Sequence, residues 1–168
     1  MPEKLWAPWR MAYIESGAES AAECIFCAYP AHGSERYREH LILACGAAAF
    51  VILNRFPYNN GHVMVVPRRH VADPEHLPAD EYIATMELVR RATSTLRAAV
   101  GAQGFNVGMN LGRVAGAGID GHCHWHIVPR WNGDTNFMPV IGEVKVMSEH
   151  LTASYDRLAP LFAPLLEP

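Results

Sequence analysis

The feature that most constrains the fold is the segment GHCHWHIVPRW, in which three histidines alternate strictly with other residues. Side chains in a β-strand point alternately to the two faces of the sheet. The alternation therefore predicts a strand over His122–Arg130 with the three histidines on one face. These histidines are His122, His124 and His126. The residues between and after them would face the core: Cys123, Trp125 and Ile127.

Three imidazoles on one strand face support two kinds of chemistry. Imidazoles are common zinc ligands, so the strand could bind a metal ion. Alternatively, one imidazole could act as a nucleophile in phosphoryl chemistry, because its pKa lies close to neutral pH. The glycine-rich loop Arg113–Gly121 directly precedes the strand, and its backbone N–H groups could form an anion-binding concavity. This combination favours phosphoryl chemistry and leaves the metal interpretation open.

The rest of the chain has the element order of an α+β domain. Apolar and β-branched runs predict further strands at Leu41–Cys45, Ala49–Asn54, His62–Pro67 and Gly104–Gly112. Pro57 and an Asn-Gly pair predict a turn over Arg55–Gly61. A long helix is predicted over Pro78–Val100, and a shorter one from about Ser148 to Leu161. The buried side of the long helix would carry Ile83, Met86, Val89 and Leu96. The order predicts an α+β fold with a mostly antiparallel sheet.

The length and composition predict a single domain over residues 1–168, with an N-terminal arm at 1–20 and a C-terminal segment at 140–168. Half of the residues are hydrophobic and the net charge is −3. The chain thus lacks the excess of basic residues that is typical of nucleic-acid-binding proteins. No apolar run approaches the roughly 20 residues of a membrane span, and the N-terminus does not resemble a signal peptide. We therefore expect a cytoplasmic protein with no nucleic-acid or membrane partner.

The four cysteines are expected to be thiols or metal ligands rather than disulfides in that compartment. Cys24 and Cys27 form a CxxC pair, a spacing that on a loop brings both sulfurs to one ion. Redox chemistry is the competing interpretation, although a thioredoxin-like pair would open a helix within a βαβ pattern that the sequence does not show. Cys45 and Cys123 are expected to be buried as apolar side chains.

The run His122-Cys-His-Trp-His-Ile-Val resembles the motif of the histidine triad family. The resemblance extends from CIFC through NRFPYNNGHVMVVPRRH to the triad. The segments LWAPWRMAYI, GFNVGMNLG, VAGAGI and VPRWNGDTNFMPV are similar to the bacterial branch that includes diadenosine tetraphosphate (Ap4A) phosphorylases. The family implies an α+β fold with an antiparallel sheet and assembly as a homodimer or larger homo-oligomer. It also implies nucleotide hydrolase or transferase activity without an organic cofactor.

The resemblance also implies roles for the histidines. His124 would attack the α-phosphorus of a nucleotide and form a nucleotidyl-imidazole intermediate. Its other ring nitrogen would then need an acceptor, such as a backbone carbonyl. His126 would donate to a non-bridging phosphate oxygen, and His62 would lie near the phosphates. A solvent-exposed histidine at the start of a strand is the alternative for His62.

Further residues are implied to contact the substrate. Asn54 would hold the ribose hydroxyls and Asn110 would lie near the phosphates. Ile25 and Phe26 would either flank the base or lie in the core. Many relatives carry Ser or Thr three residues before the first triad histidine, where this chain has Ile119. Backbone N–H groups would replace that hydroxyl, and this puts the leaving-group contacts in doubt. The stretch that would supply them contains Gly116, Gly118 and Ile119.

Zinc-containing members of the family imply a ligand set that includes the CxxC pair. The implied ligands are Cys24, Cys27, His70 and His122. Four such ligands would make a closed, tetrahedral and therefore structural zinc site.

The leading hypothesis is cleavage of an adenine nucleotide or dinucleoside polyphosphate such as Ap4A, with phosphate or water as acceptor. One alternative is a nucleotide-binding regulatory protein with weak hydrolysis of phosphoramidates or dinucleotides. Another is a zinc hydrolase in which the triad itself holds the catalytic metal.

Overall fold

The structure is a computed structural model that describes residues 24–134 and 149–166. The expected N-terminal arm and the first part of the expected C-terminal segment, residues 140–148, lie outside the described residues. The described strands are β1 (Ile42–Cys45), β2 (Ala49–Leu53), β3 (Val63–Pro67), β4 (Gly104–Gly108) and β5 (Trp125–Arg130). The described α-helices are α1 (Ile25–Ala31), α2 (Tyr37–His40), α3 (Ala79–Val100) and α4 (Leu151–Phe162).

The five strands form one sheet in the order β1-β2-β3-β5-β4. All four neighbouring pairs are antiparallel, which confirms the predicted α+β class. Strands β1 to β3 follow the chain as a meander, whereas α3 and β4 intervene before β5 returns to pair with β3. The central strands β3 and β5 therefore bring together residues that are far apart in sequence.

The predicted bounds of β1, β2 and β3 are correct to within one residue, and α3 begins one residue after the predicted start. Apolar runs broken by turn residues carry this information directly. Strand β4 is shorter than predicted because it ends at Gly108 rather than Gly112. The shorter helix is confirmed as α4 over Leu151–Phe162.

The predicted strand over His122–Arg130 is wrong in its first three residues, because β5 begins at Trp125. Val65 pairs with Trp125, so continuing this register would set Pro67 opposite Cys123. Proline has no backbone N–H to donate to the ladder, and the pairing of β3 with β5 stops before it. The backbone N–H of Cys123 bonds instead to the Val71 carbonyl oxygen at 2.7 Å.

The predicted buried side of α3 is correct for Val89 and Leu96 but wrong for Ile83, which is 66% exposed. A turn of 3.6 residues puts Ile83 on roughly the opposite side of the helix from Leu96. The buried face of α3 includes small and polar side chains that an apolar pattern does not reveal. It consists of Thr85, Leu88, Val89, Ala92 and Leu96.

Helix α3 covers one face of the sheet, where its Tyr82 ring meets Trp125 edge-on at 6.1 Å between centroids. In the register of β3 and β5, His126 and its partner Met64 point to the opposite face of the sheet. Phe50 points to that face as well, and Phe26 of α1 packs against it. Helix α4 packs on β1 and α3. Within residues 24–134 and 149–166, no helix is both long and apolar enough to cross a membrane.

Candidate functional site

The histidine-bearing face of the sheet is largely buried, because Phe26 of α1 packs on His122 and His124 and Tyr58 packs on His62 and His126. His62 and His122 are fully buried, His124 is 6% exposed and His126 is partly buried. The His124 and His126 rings meet edge-on at 4.9 Å, and the His62 and His126 rings lie 5.1 Å apart. The solvent-exposed alternative for His62 is therefore wrong, and the structure brings His62 together with the last two triad histidines.

The local backbone fixes the tautomer of His124. Its Nδ1 lies 2.9 Å from the carbonyl oxygen of His122. A carbonyl oxygen only accepts, so Nδ1 carries the proton and donates it. Nε2 is then the unprotonated nitrogen and presents its lone pair away from this contact. The expected carbonyl acceptor for His124 is thus present, two residues back in the chain.

A chain of hydrogen bonds fixes the tautomers of His62 and His126 in the same way. The backbone N–H of Tyr58 donates to His62 Nδ1 at 3.0 Å, which makes that nitrogen an acceptor. His62 Nε2 therefore carries the ring proton, and it lies 3.0 Å from His126 Nδ1. His126 Nδ1 accepts, and its proton resides on Nε2. The outer nitrogen of His126 is a donor, whereas that of His124 is a lone pair.

Burial keeps these imidazoles neutral. Loss of solvation, together with the smaller effect of the neighbouring His124, lowers the pKa of His126 to about 4. Desolvation also lowers the pKa of His124, against the opposing effect of its bond to the His122 carbonyl. At neutral pH both rings are uncharged, the form in which each has one donor and one acceptor nitrogen.

The depressed pKa of His126 predicts a pH-dependent stability. The unfolded chain takes up a proton on this ring near pH 6.5, whereas the folded chain does so only near pH 4. The contribution of this ring to the free energy of unfolding is therefore fully present above about pH 6.5 and is lost as the pH falls towards 4. Between about pH 7.5 and about pH 5.5 the free energy of unfolding should fall in both proteins. We expect the fall to be about 1.4 kcal/mol smaller in His126→Asn than in the wild type, because the variant lacks this titrating ring.

Urea unfolding of both proteins at the two pH values measures this difference. His76→Asn is the control, because His76 is exposed and its ring stays in water in both states. An equal loss of stability in His126→Asn and the wild type would contradict the assignment.

His122 is oriented differently from the other two triad histidines. Its Nε2 donates to the Pro67 carbonyl oxygen at 2.8 Å, so Nδ1 carries the lone pair. Nδ1 lies 3.4 Å from Cys24 Sγ and 3.7 Å from Cys27 Sγ. Burial lowers the pKa of His122 to about 4, which keeps the ring in the neutral form that a metal ligand needs.

These contacts belong to a cluster of four side chains whose donor atoms lie within 4.8 Å of one another. The members are Cys24, Cys27, His70 and His122, the predicted ligand set. The chemistry of the donors fits a metal ion, because two thiol sulfurs face two ring nitrogens, with Cys27 Sγ 3.4 Å from His70 Nδ1. The bond from His122 to a carbonyl is the outer-shell contact typical of a metal-ligating histidine.

The position of the CxxC pair differs from the expected loop. Cys24 immediately precedes α1, and its carbonyl accepts from the N–H groups of Cys27 and Ala28 at 2.9 Å each. The two cysteines therefore lie one helical turn apart and on the same side of the helix start. Of the other two thiols, Cys123 is buried as predicted, whereas Cys45 is only partly buried and accepts from Arg68 at 2.9 Å.

The structure gives no support to a catalytic metal held by the triad alone. Across residues 24–134 and 149–166, the one group of three or more metal-ligating side chains includes His122 but neither His124 nor His126. Nδ1 of each of those two rings is already bonded within the protein.

The residues predicted to flank the base separate into two environments. Phe26 is 1% exposed and contacts the rings of both His122 and His124, with centroids 5.5 Å and 5.1 Å away. A side chain buried in this way cannot flank a bound base, so the core alternative is correct for Phe26. Ile25 is 40% exposed and remains a candidate for the base contact.

Asn54 and Asn110 both hold the backbone near the histidines. Asn54 Oδ1 accepts from the N–H of Phe56 at 2.9 Å, and its Nδ2 lies 3.4 Å from His62 Nδ1. Asn110 Nδ2 donates to the Gly116 carbonyl at 3.4 Å and so ties the glycine-rich loop to the end of β4.

Two backbone N–H groups of the glycine-rich loop form hydrogen bonds within the loop itself. The N–H of Gly116 bonds to Arg113 at 2.9 Å, and that of Ala117 bonds to Gly112 at 3.3 Å. Gly116 has φ of 90° and ends the 3₁₀-helix Arg113–Ala115, with its N–H bonded back to the Arg113 carbonyl. The Gly116 N–H is thus bonded within the loop, and the phosphate contacts of Gly116, Gly118 and Ile119 stay as predictions.

Comparison with known proteins identifies the architecture. The family model described as the HIT domain matches residues 40–133. An AP-4-A phosphorylase of Mycobacterium tuberculosis is 36% identical over 96% of this chain and 85% of its own length. The chain belongs to the HIT family.

Solved structures of HIT proteins have the same fold. A hypothetical histidine triad nucleotide-binding protein from Sulfolobus tokodaii is 26% identical to this chain, with a TM-score of 0.65. The alignment covers 83% of this chain and 89% of the Sulfolobus tokodaii chain. A Zn-bound histidine triad family protein from Mycobacterium smegmatis is 24% identical, covers 85% and 95% of the two chains, and also has a TM-score of 0.65.

Two backbone groups of this HIT site could not be predicted from the sequence. The Tyr58 N–H sets the tautomer of His62, and the Pro67 carbonyl orients His122. Every residue except proline has a backbone N–H, and every residue has a backbone carbonyl. The sequence therefore carries no signal for either of these two groups. The sequence identified Phe26 as a candidate, but not its contacts with the rings of His122 and His124.

Proposed function

We propose that this HIT protein cleaves diadenosine polyphosphates such as Ap4A at the α-phosphate, through a nucleotidyl-His124 intermediate. The observation that carries the proposal is the opposite protonation of the two outer nitrogens, a lone pair on His124 Nε2 beside a donor on His126 Nε2. A nucleophile next to an oxyanion donor is what displacement at phosphorus requires. The similarity to an AP-4-A phosphorylase supports the same substrate class.

In the first step, His124 Nε2 forms a P–N bond to the α-phosphorus of Ap4A. The bond from that phosphorus to the bridging oxygen breaks, and ATP leaves with the electron pair. His126 Nε2–H donates to a non-bridging oxygen of the transferred phosphoryl group, where charge is redistributed in the transition state. Neutral rings favour this step, since a protonated His124 would have no lone pair.

In the second step, an acceptor oxygen attacks the same phosphorus and the P–N bond breaks. Inorganic phosphate as acceptor gives ADP, and water gives AMP. Asn54 would hold the ribose hydroxyls, with Oδ1 retaining one lone pair beyond its bond to Phe56. The N–H groups of Gly118 and Ile119 would contact the leaving phosphates, and Asn110 would fix the loop that carries them.

We propose that Cys24, Cys27, His70 and His122 hold a zinc ion. Two thiolates and two neutral imidazoles match the preferences of zinc, and four protein ligands make the site structural. The ion would join the start of α1 to the segment before β5. No step of the reaction involves it.

The acceptor is tested by incubating the protein with Ap4A in the presence and absence of inorganic phosphate. A phosphorylase yields ADP and ATP only when phosphate is present, whereas a hydrolase yields AMP and ATP in both conditions. We expect ADP as the product with phosphate. Absence of ADP in both conditions would reject the phosphorylase, and absence of any cleavage would reject the activity as a whole.

We also propose a homodimer in the cytoplasm, on the strength of the family resemblance and the composition of the chain. Sedimentation velocity on the purified protein tests the assembly. A sedimenting mass of one 18.6 kDa chain at micromolar concentration would reject it.

A further inference from the structure

A single aromatic ring connects the Cys/His cluster to the histidine pair. Phe26 lies between Cys24 and Cys27 in the chain, and its side chain is 1% exposed. Its ring meets His122 edge-on at 5.5 Å and lies tilted against His124 at 5.1 Å. It therefore contacts one ring from the cluster and one ring from the proposed reaction centre.

The His124 ring contacts two other rings. Phe26 lies at 5.1 Å with an interplanar angle of 58°, and His126 lies at 4.9 Å with an angle of 78°. The bond from Nδ1 to the His122 carbonyl fixes one atom of the imidazole but leaves the ring able to rock about it. The two neighbouring rings limit that motion, so the direction of Nε2 depends on both of them.

Phe26 itself is carried by a helix that is too short to be stable alone. Helix α1 has seven residues, contains Pro30, and has no side-chain cap at Cys24. Isolated helices of this length do not persist in water. Its placement over the sheet depends on the Phe26–Phe50 contact, with centroids 6.3 Å apart, and on the cysteines that bracket Phe26 in the Cys/His cluster.

We infer that Phe26 is a positioning residue that holds the His124 imidazole in its reactive orientation, and that the paired cysteines act on the reaction by anchoring Phe26. The CxxC spacing thus serves two purposes, since it supplies two sulfurs and aims the enclosed ring at the nucleophile. This inference rests on the proposed role of His124. Displacements of about 1 Å at a reacting group reduce rates by up to about 100-fold.

Phe26→Leu tests the inference, with Phe162→Leu as its matched control. Both substitutions remove one buried ring from the same hydrophobic core, and among the described ring contacts Phe162 touches neither Phe26 nor a histidine. We expect Phe26→Leu to lower kcat for Ap4A cleavage by about 10- to 100-fold with KM changed less than about 2-fold. Phe162→Leu should keep kcat within about 2-fold of the wild type.

Two further measurements do not require activity. NMR spectra of the histidine rings should show the Nδ1–H tautomer for His124 in the wild type and in both variants, because the His122 carbonyl fixes it. The His124 ring signals should be broadened by ring motion in Phe26→Leu and should match the wild type in Phe162→Leu. Zinc content should stay at the wild-type level in both variants, because neither changes a ligand. Phe26→Met, whose flexible side chain adapts to the space without a flat ring, provides the same comparison if Phe26→Leu does not fold.

The results separate this inference from the proposed function. Equal kcat values and equal His124 spectra in the two leucine variants would overturn the positioning role. Loss of zinc in Phe26→Leu would also overturn it, because the defect would then arise at the cluster. Absence of Ap4A cleavage by the wild type would reject the proposed function, and the His124 spectra would still decide whether Phe26 orients the ring.

Discussion

His124→Ala is expected to lower the rate of Ap4A cleavage by about 1000-fold or more while leaving nucleotide binding measurable. His124 Nε2 is the ring nitrogen whose lone pair remains after the Nδ1 proton is donated to the His122 carbonyl. His126 Nε2 carries a proton, so the neighbouring ring cannot replace it as nucleophile without changing tautomer. The loss should therefore appear in kcat, because the contacts that bind the nucleotide are unaffected.

Turnover of Ap4A and nucleotide binding by calorimetry measure the two effects separately. Alkaline quench of the wild type, which preserves the P–N bond, followed by mass spectrometry should detect a chain heavier by one adenylyl group, and the variant should lack it. Unchanged circular dichroism and zinc content would serve as the control for folding. Turnover within 10-fold of the wild type would contradict the assignment of His124 as the nucleophile.

His70→Ala is expected to weaken zinc binding by about 100-fold or more, although the residue lies on the surface. Substitution of an exposed histidine normally changes stability by less than about 0.5 kcal/mol. His70 is exposed, but its Nδ1 lies 3.4 Å from Cys27 Sγ and its ring meets His122 edge-on at 5.1 Å. A 100-fold loss of affinity corresponds to about 2.7 kcal/mol and should lower Tm by roughly 5–10 °C.

Competition with a chromophoric chelator measures the affinity, and calorimetry measures Tm. His76→Ala is the matched control, since His76 is equally exposed and lies outside the cluster. The control should behave as the wild type in both measurements. If His70→Ala matched His76→Ala in affinity and Tm, His70 would not be a ligand.

Much of the fold could be predicted because its elements have simple local patterns. Strands β1 to β3 are apolar runs bounded by turn residues, and α3 ends at Gly101, whose φ of 59° suits glycine. The failures occur where tertiary contacts override the local pattern. The alternation of His122 and His124 is typical of a strand, but Pro67 opposite Cys123 ends the ladder before them.

The candidate site was predictable in its residues but not in its orientation. The CxxC pair, His70 and the first triad histidine form one cluster, as the family resemblance implied. Which nitrogen of each ring carries the proton depends on backbone groups of residues that the sequence does not distinguish. The burial of Phe26 against two imidazoles likewise depends on how α1 lies over the sheet.

The strand order also has a consequence for how the protein is made. His62 meets His126 across 64 residues of chain, and Cys24 meets His122 across 98. Closing such long loops costs chain entropy before any contact compensates for it, so we expect these pairs to form slowly. During synthesis β1 to β3 leave the ribosome well before β5, and an N-terminal fragment has no reactive histidine pair. The proposed catalytic pair is therefore assembled only after β5 has joined the sheet.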